Sequence, residues 1–293
     1  MRPITAAGPA YDTANDTEHR RNLILMALPA TPGRALDIGA GSGWLSHDLA
    51  ELGWDVTAVE PGPFNRPDIT HIDRRLTNTE LNELLEERWD LITGLNIVHH
   101  MNDPRAALMA LYNRRPATLI LQIPDRIEAG NPKVAGNNYI DRLYDIAHSL
   151  EPSVLGWAST NLDPRARRPV LAWDTDIIIG TVTAGNGHTT HQWPEVGAKV
   201  ATELGLELTE GSLNLELERF WSSADELDVV AATQWGPILG REVTVAGVTA
   251  WALRMPDSDQ GQRFTELVAE HNLRDLLGLN NGDRIPLRLE PSS

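Results

Sequence analysis

The chain has 293 residues, room for one large domain or two ordinary ones, and 41% of them are hydrophobic, which excludes a disordered composition. A formal net charge of −16 argues against a broad nucleic-acid surface, and the lack of cysteine removes disulfides, thiolate catalysis and cysteine-ligated zinc. No apolar run approaches the roughly 20 residues of a membrane helix, and the polar residues from Asp12 on cut short the apolar core that a signal peptide would need, so a soluble, cytoplasmic protein is expected. Lys133 and Lys199 are the only lysines, a bias that fits either a GC-rich or a salt-adapted genome.

In chain order, residues 17–28 predict a helix capped by Thr17 and stopped by Pro29, Pro32 and Gly33. An apolar run then ends in Asp37, followed by Gly39, Gly41 and Gly43 and by a helical pattern from Trp44. That is a strand, a tight turn and a helix. Glycine permits positive φ and lets a ligand lie against bare main chain, beside the unpaired N–H groups of a helix start. A dinucleotide loop wants glycines at positions 1, 3 and 6, which here puts Trp44 in the third slot, so the spacing separates this loop from that fingerprint. Residues 55–60 read as a second strand ending in Glu60, where a carboxylate can accept both hydroxyls of a ribose. A short strand at 69–72 precedes Asp73, and residues 89–101 are a fourth strand running into a loop with Asn96, His99 and His100. Ligands of open α/β sheets bind outside the carboxyl ends of strands, so these three residues belong to the site. Either histidine is a candidate proton acceptor, or else a residue that fixes loop geometry. Asp103 and Pro104 cap the next helix, 117–124 is a fifth strand, and a helix over 139–150 precedes paired strands at 154–159 and 169–173. Those strands are joined through Asp163, Pro164 and Arg165, and Arg165, Arg167 and Arg168 read as a solvated hairpin tip, with a local basic patch as the alternative.

The acid-x-Gly-x-Gly-x-Gly loop from Asp37 to Gly43, with Glu60, resembles motif I and the following acid of the class I S-adenosylmethionine (SAM) dependent methyltransferases. The resemblance covers residues 10–174. It implies a Rossmann-like seven-stranded α/β domain over residues 1–174 that binds SAM through Asp37, Gly39, Gly41, Gly43, Glu60, Asp73 and Asn96, with Asp73 at the adenine, or else only a strand-end acid. It also implies methyl transfer to a small molecule at the loop of His99 and His100, beneath residues 125–138. The first segment, with Tyr11, either touches ligand or only packs.

Residues 175–293 change pattern. Strand-like runs at 176–183, 212–217, 242–245, 248–253 and 284–289, with helices over 196–204 and 264–277, suggest a small β-barrel. Residues 180–188, 204–215, 272–275 and 281–285 make this half similar to the archaeal CTP-dependent riboflavin kinases. That resemblance implies a riboflavin-kinase-like barrel binding CTP at Gly185, Asn186, Gly187, His188, Asn272, Leu273, Arg274 and Asp275. It implies magnesium on Ser212 and Asn214, and a flavin or nucleoside-like acceptor against Ser258 and Glu266. The chain departs from that family after Gly187, where His188 to His191 replace a glycine, and at Asn272, where the family has lysine. Together the two resemblances imply a bifunctional enzyme; the alternative is a methyltransferase whose barrel is a non-catalytic nucleotide- or flavin-binding module.

Overall fold

The computed structural model describes residues 16–64, 66–124, 137–160, 163–184, 188–209, 212–218, 227–234, 236–254 and 263–289. They fall into two compact units that part between Thr175 and Asp176, the first taking Leu28–Thr175 with most of the opening helix.

The first unit is a seven-stranded α/β sheet. Its strands are β1 (Arg34–Ile38), β2 (Asp55–Val59), β3 (Thr70–Ile72), β4 (Leu91–Leu95), β5 (Thr118–Gln122), β6 (Ser153–Thr160) and β7 (Asp163–Trp173). They lie in the order β3-β2-β1-β4-β5-β7-β6. The first five run parallel, while β7 pairs antiparallel with β5 and β6 antiparallel with β7. Parallel strands need crossovers, here through α2 (Trp44–Glu51), α3 (Asn78–Leu84) and α4 (Pro104–Asn113), so both faces are covered and β5 is buried along its whole length. Leu36, Ile92, Leu119 and Leu121 pack with Leu108 and Leu111 of α4 and Leu143 of α5 (Asn137–Ser149) in one core. Helix α1 (Asp16–Met26) begins one residue earlier than expected, so Thr17 lies inside it rather than capping it. Its Leu23 seats over Gly156 of β6, where any Cβ would meet Leu23 Cδ1 at 2.7 Å.

Two expectations for the hairpin fail. Asp163, Pro164 and Arg165 belong to β7 itself, and Arg168, expected at a solvated tip, is buried at 6% exposure. The reason is register. β7 runs between β5 and β6, with Val170 opposite Gln122 and Arg168 opposite Ala158, so the arginine lies inside the sheet's carboxyl edge.

The second unit is a closed six-stranded antiparallel barrel. β8 (Ile177–Val182), β9 (Leu213–Leu217), β11 (Gly236–Val245), β12 (Val248–Arg254), β13 (Phe264–Val268) and β14 (Arg284–Leu289) pair in the ring β11-β12-β13-β9-β8-β14, which closes from β14 to β11. β10 (Asp228–Thr233) adds to β11 outside the ring. Helix α6 (His188–Leu204) starts earlier than expected and packs Val196 and Val200 on Val230, Ile238 and Leu253. Residues 264–277 are not one helix. Phe264–Val268 is strand β13, and the helix is only α7 (Leu273–Leu277), capped by Asn272 and ended at Gly278 with φ 61°.

Candidate functional site

The glycine turn after β1 is fixed from below by Asp37. Its carboxylate is 2% exposed and accepts Ser46 Oγ at 2.5 Å and Thr93 Oγ1 at 2.8 Å, tying α2 and β4 to the turn. Burial pushes the Asp37 pKa up, while the two hydroxyls oppose that and the nearby Glu60 adds to it. From the side, Gly39 N and Ala40 N donate to Val59 O at 2.8 and 3.2 Å, which locks the turn to β2.

Gly39, Gly41 and Gly43 all hold positive φ, at 71°, 57° and 75°. Their surroundings differ. A Cβ on Gly39 would meet Ile97 Cγ1 at 2.7 Å, and one on Gly43 the Phe64 ring at 2.6 Å, whereas one on Gly41 would meet nothing within 4 Å. The middle glycine faces open space. Its N–H donates to Glu60 Oε2 at 2.9 Å, so the acid after β2 stands against bare main chain. Beside them lies a cleft of about 260 Å³ whose walls include Gly39, Glu60, Arg74, Arg75, Ile97 and His100. The arrangement meets what a nucleoside ligand asks for: an open glycine edge, a carboxylate and apolar walls.

Asp73 stands just outside. Its Oδ1 accepts Gly62 N–H at 2.7 Å, and the residues that line the cleft after β3 are Arg74, Arg75 and Leu76. Asn96 ends β4 in the left-handed region, φ 58°. Its side chain is fixed at both ends: Nδ2 donates to Gln122 Oε1 at 2.6 Å, and Oδ1 accepts Arg168 Nη1 at 2.6 Å. Gln122 is fully buried and its Oε1 also accepts Arg20 Nη1 at 3.2 Å, while the Arg20 guanidinium lies 5.3 Å from the centre of the Trp44 ring. Arg20, Gln122 and Arg168 were not among the expected site residues. The only sequence signal for Gln122 is a polar residue closing an otherwise apolar strand, and Arg20 and Arg168 carry none.

Beyond Asn96 the chain makes the short 3₁₀ turn Val98–His100. His99 is buried at 8% exposure, and its pKa is lowered to about 3 by burial first, then by His100 and Arg168. His100 is exposed at the cleft, its ring centre 4.0 Å from that of His99. Desolvation, then Arg168 and Arg75, hold its pKa below the ordinary histidine value. The loop therefore offers two neutral imidazoles, one inside and one at the wall.

In the barrel, the expected residues divide. Gly185, Asn186, Gly187 and Ser258 lie outside the described residues, as does Tyr11, and His188 is placed only as the first residue of α6. Ser212, Asn214 and Glu266 come together: Asn214 faces Glu266 across β9 and β13, and Ser212 Oγ reaches Glu266 Oε2 at 3.4 Å. A smaller cavity of about 110 Å³ is lined by Ser212, His271, Asn272, Leu273 and Arg274. Asp275 gives its N–H to the Asn272 cap at 3.2 Å, and Arg274 bonds Thr183 O and Asn281 Oδ1. Among the described residues no three His, Asp or Glu side chains converge to hold a metal.

Comparison with known proteins gives a match to the family described as "Methyltransferase domain" over residues 11–159. Residue by residue, the chain is 38% identical over 92 residues to a ubiquinone biosynthesis O-methyltransferase of Cereibacter sphaeroides, covering 28% of this chain and 37% of that protein. It is 32% identical over 114 residues to a demethylmenaquinone methyltransferase of Renibacterium salmoninarum, 34% of this chain and 47% of that one. The chain thus spans between a third and a half of the length of these relatives. Among solved structures it is similar to the magnesium protoporphyrin IX methyltransferase of Synechocystis with bound SAM, at TM-score 0.38 and 18% identity, covering 58% of this chain and 86% of that one.

Proposed function

The chain belongs to the methyltransferase-domain family, and from that premise we propose that its first unit transfers a methyl group from SAM to a small molecule. The observation that carries this is the middle glycine. Gly41 alone of the three faces open space, and the Glu60 carboxylate stands on its N–H beside the cleft. When bound, SAM supplies a methyl carbon already activated by positive sulfur, so the protein's part is chiefly alignment. Asp37 holds the turn, Gly41 gives main-chain contact, and Glu60 is the group for ribose hydroxyls. His100, neutral and at the cleft wall, takes the proton that an acceptor hydroxyl or amine gives up. His99, with a pKa about 3, is too weak a base near neutrality and serves as packing beneath it.

Calorimetry on the full chain with SAM and S-adenosylhomocysteine tests the reading. Wild type is expected to bind both, and Glu60→Ala to bind at least about tenfold more weakly, a loss of about 1.4 kcal/mol. No heat of binding from wild type at saturating ligand would end it.

A second reading concerns the barrel, and the meeting of Ser212 with Glu266 beside the smaller cavity favours it. In this reading the barrel binds CTP and phosphorylates riboflavin or a flavin- or nucleoside-like alcohol. Hydroxyl and amide oxygens suit magnesium, which would neutralise phosphate charge, and Ser212 and Asn214 are the side chains that would hold it, with Glu266 on the acceptor side. The measurement is magnesium-dependent conversion of CTP to CDP with riboflavin as acceptor. Binding of CTP or riboflavin without turnover supports a non-catalytic module instead; neither binding nor turnover ends both versions.

A further inference from the structure

Resting on the methyl-transfer reading, we infer that Arg168 is a positioning residue for that reaction: through Asn96 it fixes the turn that carries buried His99 and presents His100 to the cleft.

The argument begins with Asn96. A residue with a side chain is strained in the left-handed region, and asparagine tolerates it better than most but still needs holding. Here both ends of the carboxamide are held. Nδ2 gives its proton to Gln122 Oε1, so Oδ1 must face away, and there it meets Arg168 Nη1 at 2.6 Å. Gln122 cannot turn over in response, because its Nε2 donates to Ala158 O at 3.0 Å and to Arg168 O at 3.4 Å while its Oε1 takes Arg20. Each amide therefore has one allowed orientation. With φ of Asn96 set, the following turn closes through His100 N to Ile97 O at 2.8 Å and Met101 N to Val98 O at 3.2 Å. Ile97 and His100 are cleft walls, so the arginine on β7 acts on the cofactor side of the sheet without lining it.

Charge adds a readout. The groups facing His100 are His99 from its own turn, Arg168 from β7, Arg75 from the segment after β3, and Glu60 and Arg74 across the cleft. The guanidinium of Arg168 disfavours a proton on both imidazoles. Removing it raises both titrations; replacing it by lysine keeps the charge but loses the planar fork that meets a carboxamide at fixed angle.

The test uses the full chain with labelled histidine, assigned through His99→Gln and His100→Gln, and S-adenosylhomocysteine as ligand. Arg168→Met is expected to move the His100 titration upward and to weaken S-adenosylhomocysteine about tenfold. Arg168→Lys is expected to leave the titration near its wild-type place while still weakening the ligand. Asn96→Gly keeps the left-handed backbone without strain but cuts the link, so it should weaken binding, and adding Arg168→Met to it should cost little more. Unchanged titrations and affinity in a folded Arg168→Met protein would overturn the inference, as would fully additive losses in the double variant. If Arg168→Met does not fold, Arg168→Lys and Asn96→Gly decide: unchanged affinity in both overturns it. If wild type binds no S-adenosylhomocysteine, the methyl-transfer reading fails by itself, and the histidine titrations still report whether Arg168 governs the turn.

Discussion

At the scale of single residues, His99 carries a pH signature. Its folded pKa is about 3 against 6.5 for a free histidine, so the unfolded chain takes up a proton that the folded chain refuses. Stability from this group is complete above about pH 6.5 and declines as pH falls toward 3, at no more than about 1.4 kcal/mol per pH unit. Asp37 has the opposite sign: its raised pKa means that the folded state holds a proton more readily, which favours folding as pH falls. Denaturant unfolding between pH 7 and 4 should therefore be less steep in pH for His99→Gln than for wild type; equal slopes would show that His99 is not the group responsible. Gly41→Ala should fold, with about 1–2 kcal/mol of backbone strain, yet bind S-adenosylhomocysteine poorly. Gly39→Ala carries the same strain and a collision with Ile97, so its melting temperature should fall further. The glycine turn was readable from sequence because spacing within one loop decides it. Arg168 was not, because its burial depends on how β7 registers against its neighbours, residue 168 against 158 and residue 170 against 122, and a single stretch of sequence holds no trace of that pairing.

At the scale of elements, the start of α4 was legible from its cap, whereas Thr17 fell inside α1 and α6 began well before Val196. Asp103 accepts Ala106 N–H at 3.0 Å with Pro104 in the first turn, as Asp-Pro before an apolar period predicts. Asp103→Ala should cost about 1 kcal/mol in urea unfolding; a change under a few tenths would mean that the cap is idle. Strand and helix were confused where β13 is followed after only four residues by the short α7. Residues 264–267 alternate between intermediate and buried positions, and Thr265 Oγ1 donates to Leu253 O, so this run pairs as β13 between β12 and β9. Only the next turn, after the Asn272 cap, is helical. β10 escaped notice because Asp228–Thr233 is short and lies outside the ring, with Val229 exposed at 64%.

At the scale of the whole molecule, each unit carries a pocket among its described residues, so the ligand response of each can be measured separately. S-adenosylhomocysteine at a hundredfold its dissociation constant should stabilise the unit that binds it by about 2.7 kcal/mol. Differential scanning calorimetry with that ligand, and separately with magnesium and CTP, distinguishes a chain with two working sites from one with a single site. Closure of the barrel has a further consequence. The ring is sealed by its first and last strands, since Ile177 pairs with Arg288 and Leu289 N donates to Asp176 O at 2.7 Å. Asp176 and Leu289 thus stand side by side at one edge of the ring. Circular permutation is therefore open to the barrel: a short peptide can stitch the two ends together, and new termini can be cut at the hairpin between β11 and β12 with every rung of the ring kept.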